Sequence, residues 1–293
     1  MQFDIVISSC KKDQIVLQKA IESIKEYVEG YRRIIVVSNE KLTNIEGVEW
    51  FDEKKYPFSI KDIYENMHNM VPEDMRKRKV SYINQLIKLY AHRVIPGLLE
   101  NILIYDSDII FIRKTTFFED GKPLYGSRVL NYDMCGQYLN HFKKLHSSFD
   151  FHKLETNQQL LKQGLYRSGI CHHIVYNRDI IEEIIALIEK THGETFWKFY
   201  LNQVDTRGNN PALWCEPANC GLYYNYVSTY HPDKITQRCI TWMECPAQSR
   251  TQNSIVHNYD TEFENKKALA LSKGHSYIAF HSYNREYYSL PSS

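Results

Sequence analysis

Two carboxylates, Asp106 and Asp108, interrupt an otherwise apolar stretch, Asn101-Ile-Leu-Ile-Tyr-Asp-Ser-Asp-Ile-Ile-Phe-Ile-Arg-Lys114, and this constrains the fold more than any other feature of the chain. Ile102 to Tyr105 is short, uncharged and rich in β-branched residues, and it follows Pro96-Gly97. That pattern predicts a strand buried on both faces rather than a helix. Ile109 to Ile112 repeats it. The aspartates therefore fall at the carboxyl end of a central strand, where open α/β sheets bind their ligands.

In extended geometry an Asp-x-Asp points both side chains to one side, and two anionic oxygens held together suit a hard divalent cation, which a diphosphate could in turn bind. Asp-Ser-Asp is also ordinary turn chemistry. Against a mere turn stands the cost of burying unpaired carboxylates between apolar runs.

Around this stretch the sequence predicts a doubly wound α/β fold. Phe3 to Ile7 is a buried strand, and Val16, Ala20, Ile21, Ile24 and Val28 then recur at helical spacing. Arg33 to Val37 and Val48 to Phe51 are further strands, so that successive parallel strands place a crevice above their carboxyl ends. Ser81 to Ile95 is an amphipathic helix with Ile83, Leu86, Ile87, Tyr90, Ala91 and Val94 toward the sheet. Gln85, Lys88 and His92 share another face, as a solvent-facing polar stripe also would. Leu165 to Tyr176 is predicted as one strand carrying Ser168-Gly169 and His172-His173. Adjacent strand residues face opposite ways, which favours His173 toward a ligand and His172 packed. Asp179 is placed as the cap of a helix running to Thr191.

Composition excludes several classes. A chain of 293 residues with a formal charge of +1 has no field to attract nucleic acid. Arg76-Lys77-Arg78-Lys79 is a local exception, as a solvated face or an anion contact. No apolar run is long enough to span a bilayer. The opening residues lack a secretory pattern, and seven cysteines are an odd number, from which reduced thiols and a cytoplasmic location are expected. Cys215, Cys220, Cys239 and Cys245 lack the usual zinc spacing and are read as small core residues. The 22 tyrosines suit sugar-stacking platforms and ordinary packing equally. Neither a Gly-x-Gly-x-x-Gly nor a phosphate loop follows the first strand, which disfavours dehydrogenases and P-loop kinases.

The ordered set Ser81-Tyr-Ile-Asn-Gln85-Leu-Ile-Lys88, then Ile102-Leu-Ile-Tyr-Asp-Ser-Asp108, then Tyr166-Arg-Ser-Gly-Ile-Cys-His-His173 resembles GT-A fold glycosyltransferases, in particular a poorly characterised bacterial and viral family. The resemblance implies one GT-A domain over 1–293, with residues 1–114 as the nucleotide-sugar half, 115–293 as the acceptor half, and a mostly parallel, twisted sheet with helices on both faces. It implies Mn²⁺ or Mg²⁺ on Asp106 and Asp108, with His281 as third ligand and His257 second choice for that place. Donor contacts are then expected from Ser8, Cys10, Ser38, Gln85, Lys88, Ser168, His173 and Arg285. Glu216, before Pro217 at an expected helix start, and Asp106 take the catalytic places, although this family carries its acid nearer Asn219 or Gly221. The implied reaction is metal-dependent sugar transfer from a nucleotide-diphosphate sugar, a UDP-sugar being expected, to a glycan or other hydroxyl acceptor. Two alternatives stand beside it: a haloacid-dehalogenase-like phosphatase, whose nucleophilic Asp usually lies near the chain start, and a non-catalytic carbohydrate-binding module.

Overall fold

The computed structural model describes residues 1–69, 72–131, 136–151, 158–159, 162–207, 210, 213–238, 240–244 and 259–280. In chain order the elements are β1 (Phe3–Ser8), α1 (Gln14–Tyr27), β2 (Tyr31–Ser38), β3 (Val48–Asp52), α2 (Ile60–Asn66), α3 (Pro72–Val94), β4 (Asn101–Asp106), β5 (Ile109–Phe111), β6 (Phe118–Glu119) and β7 (Lys122–Gly126). There follow β8 (Arg128–Asn131), α4 (Gly136–Leu145), β9 (Leu165–Ser168), β10 (His173–Asn177), α5 (Arg178–His192), α6 (Phe196–Asn202), α7 (Asn219–Tyr230), β11 (Thr236–Arg238), β12 (Trp242–Glu244), α8 (Tyr259–Ser272) and β13 (Tyr277–Ala279).

The central sheet runs β10-β4-β1-β2-β3, with β4, β1, β2 and β3 mutually parallel and β10 antiparallel at the edge. Strand alternation splits the core in two. Val6, Ile35, Val37, Ile102, Ile104, Ile174 and Tyr176 face helices α3, α5, α6 and α7. Ile5, Ile7, Ile34, Val36, Leu103, Tyr105 and Val175 face α1 and the layer of β5 and β13. The architecture is the predicted one: α/β, mostly parallel, helices on both faces. Every residue of β1 is buried, which only a strand covered on both sides requires.

Three local expectations change. The stretch from Leu165 to Tyr176 is two strands, not one: β9 pairs with β8, and β10 joins the central sheet. Between them Gly169 packs so tightly on α7 that a Cβ there would lie 2.0 Å from the Tyr224 ring. Asn177 rather than Asp179 caps α5, its side chain accepting from the N–H groups of Asp179 (3.1 Å) and Ile180 (3.4 Å). Finally, β4 and β5 belong to different sheets, β5 pairing with β13, so the chain turns at Ser107-Asp108 instead of running on extended. The basic run 76–79 lies within α3.

Candidate functional site

The turn between β4 and β5 opens onto a cavity of about 410 Å³ above the carboxyl ends of β1 and β4. In the β1–β4 register Ser8 stands beside Asp106, and both line the cavity with Ser107 and Asp108. The Asp-x-Asp is therefore at once a turn and a cavity wall. Since the main chain leaves the central sheet there, the aspartates meet the cavity without having to be extended.

Helix α3 supplies the facing wall. Leu86, Ile87 and Tyr90 anchor it in the core, and the turn between presents Gln85 and Lys88 to the cavity. Lys88, 9% exposed, donates to Asp106 Oδ1. Burial alone would lower the Lys88 pKa, but Asp106, then Cys220 and Asp108, outweigh it and the ammonium is held above its ordinary value. The Asp106 main-chain N–H donates to the His172 carbonyl (2.9 Å), tying the strand end to the loop before β10.

The amino end of α7 forms a third wall through Ala218, Asn219 and Cys220. Gln85 Oε1 accepts from the Asn219 N–H (3.0 Å) and from the Tyr200 hydroxyl (3.1 Å), so its amide is fixed with the oxygen inward. The Asn219 side chain in turn donates to the Tyr176 hydroxyl (2.9 Å). Helix amino termini carry partial positive charge, and together with Lys88 this end of the molecule favours an anion. Rings close the fourth side: Trp242 stacks on Tyr277 at 5.5 Å, and His172 meets Trp242 edge-on at 5.1 Å.

Of the predicted residues, the fold gathers Ser8, Gln85, Lys88, Asp106 and Asp108 on this one cavity. Ser38 is buried and donates to the Glu40 carbonyl (2.6 Å), and Ser168 is buried, accepting from the Ile170 N–H (3.1 Å). Cys10 donates to Asp13 (3.4 Å), and burial, then Asp13, pushes its thiol up to about 12. The two histidines exchange places relative to expectation. His172 lines the cavity, whereas His173, 3% exposed, sits among Phe111, Phe117 and Tyr277, with burial holding its pKa well below the ordinary value. The cause is register: His173 pairs with Tyr105, which faces the α1 side of the sheet.

Glu216 is buried next to Pro217, which does line the cavity, and its N–H donates to the Gln137 carbonyl (3.0 Å). The helix starts later than expected, with Ala218 as its cap, so Glu216 precedes it. His257, His281 and Arg285 lie outside the described residues, as do Cys239 and Cys245. Cys220 and Cys215 are buried as expected, and Cys220, in the main core, also reaches the cavity wall. Sequence reasoning did not anticipate Asp13, Asn84, Asn219 or Trp242 on the wall. Asn84 shared the helix face of Gln85 and Lys88, and Asp13 follows directly on β1, so both were within reach of the pattern; Asn219 and Trp242 come from distant elements.

The donor set suits a hard divalent cation. Two half-buried carboxylates share one cavity, and such an ion takes its remaining ligands readily from water and phosphate oxygens. Among the described residues no third histidine, cysteine or acid joins them as a ready-made metal cluster.

No protein-family model and no curated protein matches the sequence. The structure is similar to solved glycosyltransferase structures. Mouse xyloside xylosyltransferase 1 in apo form aligns at 10% identity over 99% of this chain and 100% of that one, with a TM-score of 0.45. The mannosyltransferase Ktr4p from S. cerevisiae aligns at 13% identity over 97% and 83%, with a TM-score of 0.46. The galactosyltransferase LgtC, in complex with donor and acceptor sugar analogs, aligns at 12% identity over 69% and 70%, with a TM-score of 0.37.

Proposed function

We propose that this chain transfers a sugar from a nucleoside-diphosphate donor to a hydroxyl acceptor, with Mn²⁺ or Mg²⁺ held by Asp106 and Asp108. The observation that carries this reading is the convergence of two carboxylates, a buried lysine and a helix amino terminus on one cavity at the carboxyl ends of β1 and β4. Carboxylates alone would repel a diphosphate; a cation on them, with Lys88 and the amino end of α7 beside it, turns the same wall into an anion site. The bound cation would offset the negative charge that grows on the departing diphosphate. Lys88 fixes the orientation of Asp106 and adds its own positive charge. Gln85, its oxygen already engaged inward, has its amide N–H₂ for an acceptor atom of the ligand. The rings of Trp242 and His172 suit the face of a sugar or a base.

A thermal-shift series with UDP-, GDP-, ADP- and dTDP-linked sugars, each with and without Mn²⁺, tests the reading. A ligand that binds only the folded state raises the melting temperature. One donor is expected to raise it in Mn²⁺, to lose the effect in EDTA, and to lose it again in Asp108→Asn. A shift of equal size in all three conditions would overturn the assignment of the carboxylates. Release of phosphate from an aryl phosphate, with no donor effect, would favour a phosphatase instead.

A further inference from the structure

Two thiols on the cavity wall have no part in that reaction. Cys171 lies in the stretch between β9 and β10, half-buried, and Cys220 lies in the first turn of α7, 7% exposed; 49 positions separate them (220 minus 171), and neither is in a disulfide. Both face the cavity. The Cys171 thiol donates to the His173 carbonyl (2.7 Å), which fixes it against β10, and the residues beside the two cysteines pack together, since a Cβ on Gly221 would lie 3.2 Å from Ile170 Cγ1. We propose that Cys171 and Cys220 are a redox-sensitive pair, converted to a disulfide by hydrogen peroxide or an organic hydroperoxide that enters the cavity.

The surroundings suit that chemistry. Thiolates, not thiols, are the nucleophiles, and nearby cations favour them. Lys88 lines the same cavity as both thiols. Either sulfur can react first. One thiolate attacks one peroxide oxygen, the O–O bond breaks, and hydroxide leaves, giving a sulfenic acid. The other sulfur then attacks that sulfur, its proton going to the departing oxygen as water. Two thiols and one hydrogen peroxide become one disulfide and two waters; an organic hydroperoxide gives one water and one alcohol. The product ties the amino end of α7 to the strand-end loop, the two walls between which a ligand would sit.

The test uses the full chain and needs no sugar donor, so it stands or falls independently of the transfer reaction. Native protein, and protein unfolded in urea, are treated with a small excess of hydrogen peroxide, alkylated, digested without reductant and mapped by mass spectrometry. Native protein is expected to lose two of its seven thiols and to yield a peptide joining Cys171 to Cys220. Juxtaposition by the fold should make it form at least about tenfold faster than in urea. Oxidised protein is expected to melt at a higher temperature than reduced, because the link restricts the unfolded chain. In Cys171→Ser and in Cys220→Ala the link and the shift should both vanish. Should both cysteines remain alkylatable while free glutathione in the same tube is oxidised, or should linkage be no faster in native protein than in urea, the pairing is wrong. That arm uses the wild-type chain, so it decides the matter even if a variant folds poorly.

Discussion

Asp4 and Asp106 sit on neighbouring strands at opposite ends of the same sheet, and the fold treats them in opposite ways. At the amino end, Asp4 is fully buried, and its oxygens accept from Arg32 Nε (2.9 Å), Arg32 Nη2 (2.7 Å) and the Leu99 N–H (2.8 Å), with Arg33 at 3.6 Å. That carboxylate clamps β1 to β2 and to the approach of β4. At the carboxyl end, Asp106 keeps 29% of its side chain exposed, turns one oxygen to Lys88, and looks into a cavity. An acid whose lone pairs are met by protein donors is a fastener. One that faces space beside a second acid is available to a ligand. The difference is not in residue type or strand membership but in how many donors the surrounding chain delivers.

If that contrast is right, mutations at the two ends should separate activity from stability. The largest effect is expected from Asp108→Asn, which removes a charge from the cavity wall. Donor turnover should fall by a factor of about 10²–10³, the scale on which loss of one transition-state charge contact is felt, with the melting temperature nearly unchanged. Steady-state assay and calorimetry on one preparation check both halves. A variant that unfolds but turns over normally would put Asp108 in the same class as Asp4.

Asp4→Ala should do the reverse. It leaves the Leu99 N–H without its acceptor and two arginines without their anion, which costs about 2–3 kcal/mol for the buried, hydrogen-bonded acid. Urea titration should show the loss in midpoint with the slope unchanged, and donor turnover per folded molecule should match wild type.

The sequence displays one end of the sheet better than the other. Asp106-Ser-Asp108 stands out because acids punctuate a run with no polar period, and the αβ rule about strand carboxyl ends then locates them. Gln85 and Lys88 follow from helical spacing. Asp4 looks equally odd in its strand, but nothing in the sequence links it to Arg32 or Leu99, since those contacts are made by sheet register. The same blindness explains His172 and His173. Alternation says that they point apart, but not which way. In the folded chain alternation does not govern His172 at all: it lies in a bend just before β10, and its ring meets Trp242 and Tyr277. The assumed unbroken strand from Leu165 hid that bend. Asn219, Cys220 and Trp242 reach the cavity from elements more than a hundred residues beyond Asp106, and no local pattern reports such a meeting.

Stability should also depend on pH through histidines that do not line the cavity. His141 is fully buried on α4 with Nε2 at 2.9 Å from the Tyr200 carbonyl, and burial lowers its pKa from 6.5 to about 4. His92 is lowered similarly, also mainly by burial. Between pH 6.5 and 4 the unfolded chain binds a proton that the folded chain refuses, so stability is full above pH 6.5 and falls as the solution is acidified. For His141 the loss from pH 7 to pH 5 is about 2 kcal/mol. His141→Gln, which keeps a donor for the carbonyl, should flatten this slope without touching donor affinity, as urea titrations at the two pH values would reveal. A steep slope that survives the substitution would move the effect to His92 or to the carboxylates.

The smallest effect, and the sharpest for the contrast between the two ends, is expected from Lys88→Met. Losing one member of a deeply buried ion pair usually costs several kcal/mol because the partner is stranded. Asp106 is not stranded: water in the cavity can solvate the oxygen that Lys88 leaves, and a methionine fills much of the vacated volume. Unfolding free energy should therefore change by less than about 1 kcal/mol. Donor affinity in Mn²⁺ should weaken about tenfold, since a positive charge is lost beside the diphosphate, and titration calorimetry would measure it. If instead the chain lost as much stability as in Asp4→Ala while donor affinity held, Lys88 and Asp106 would be a fastener like the one at the amino end. The cavity would then have to find its anion contact elsewhere.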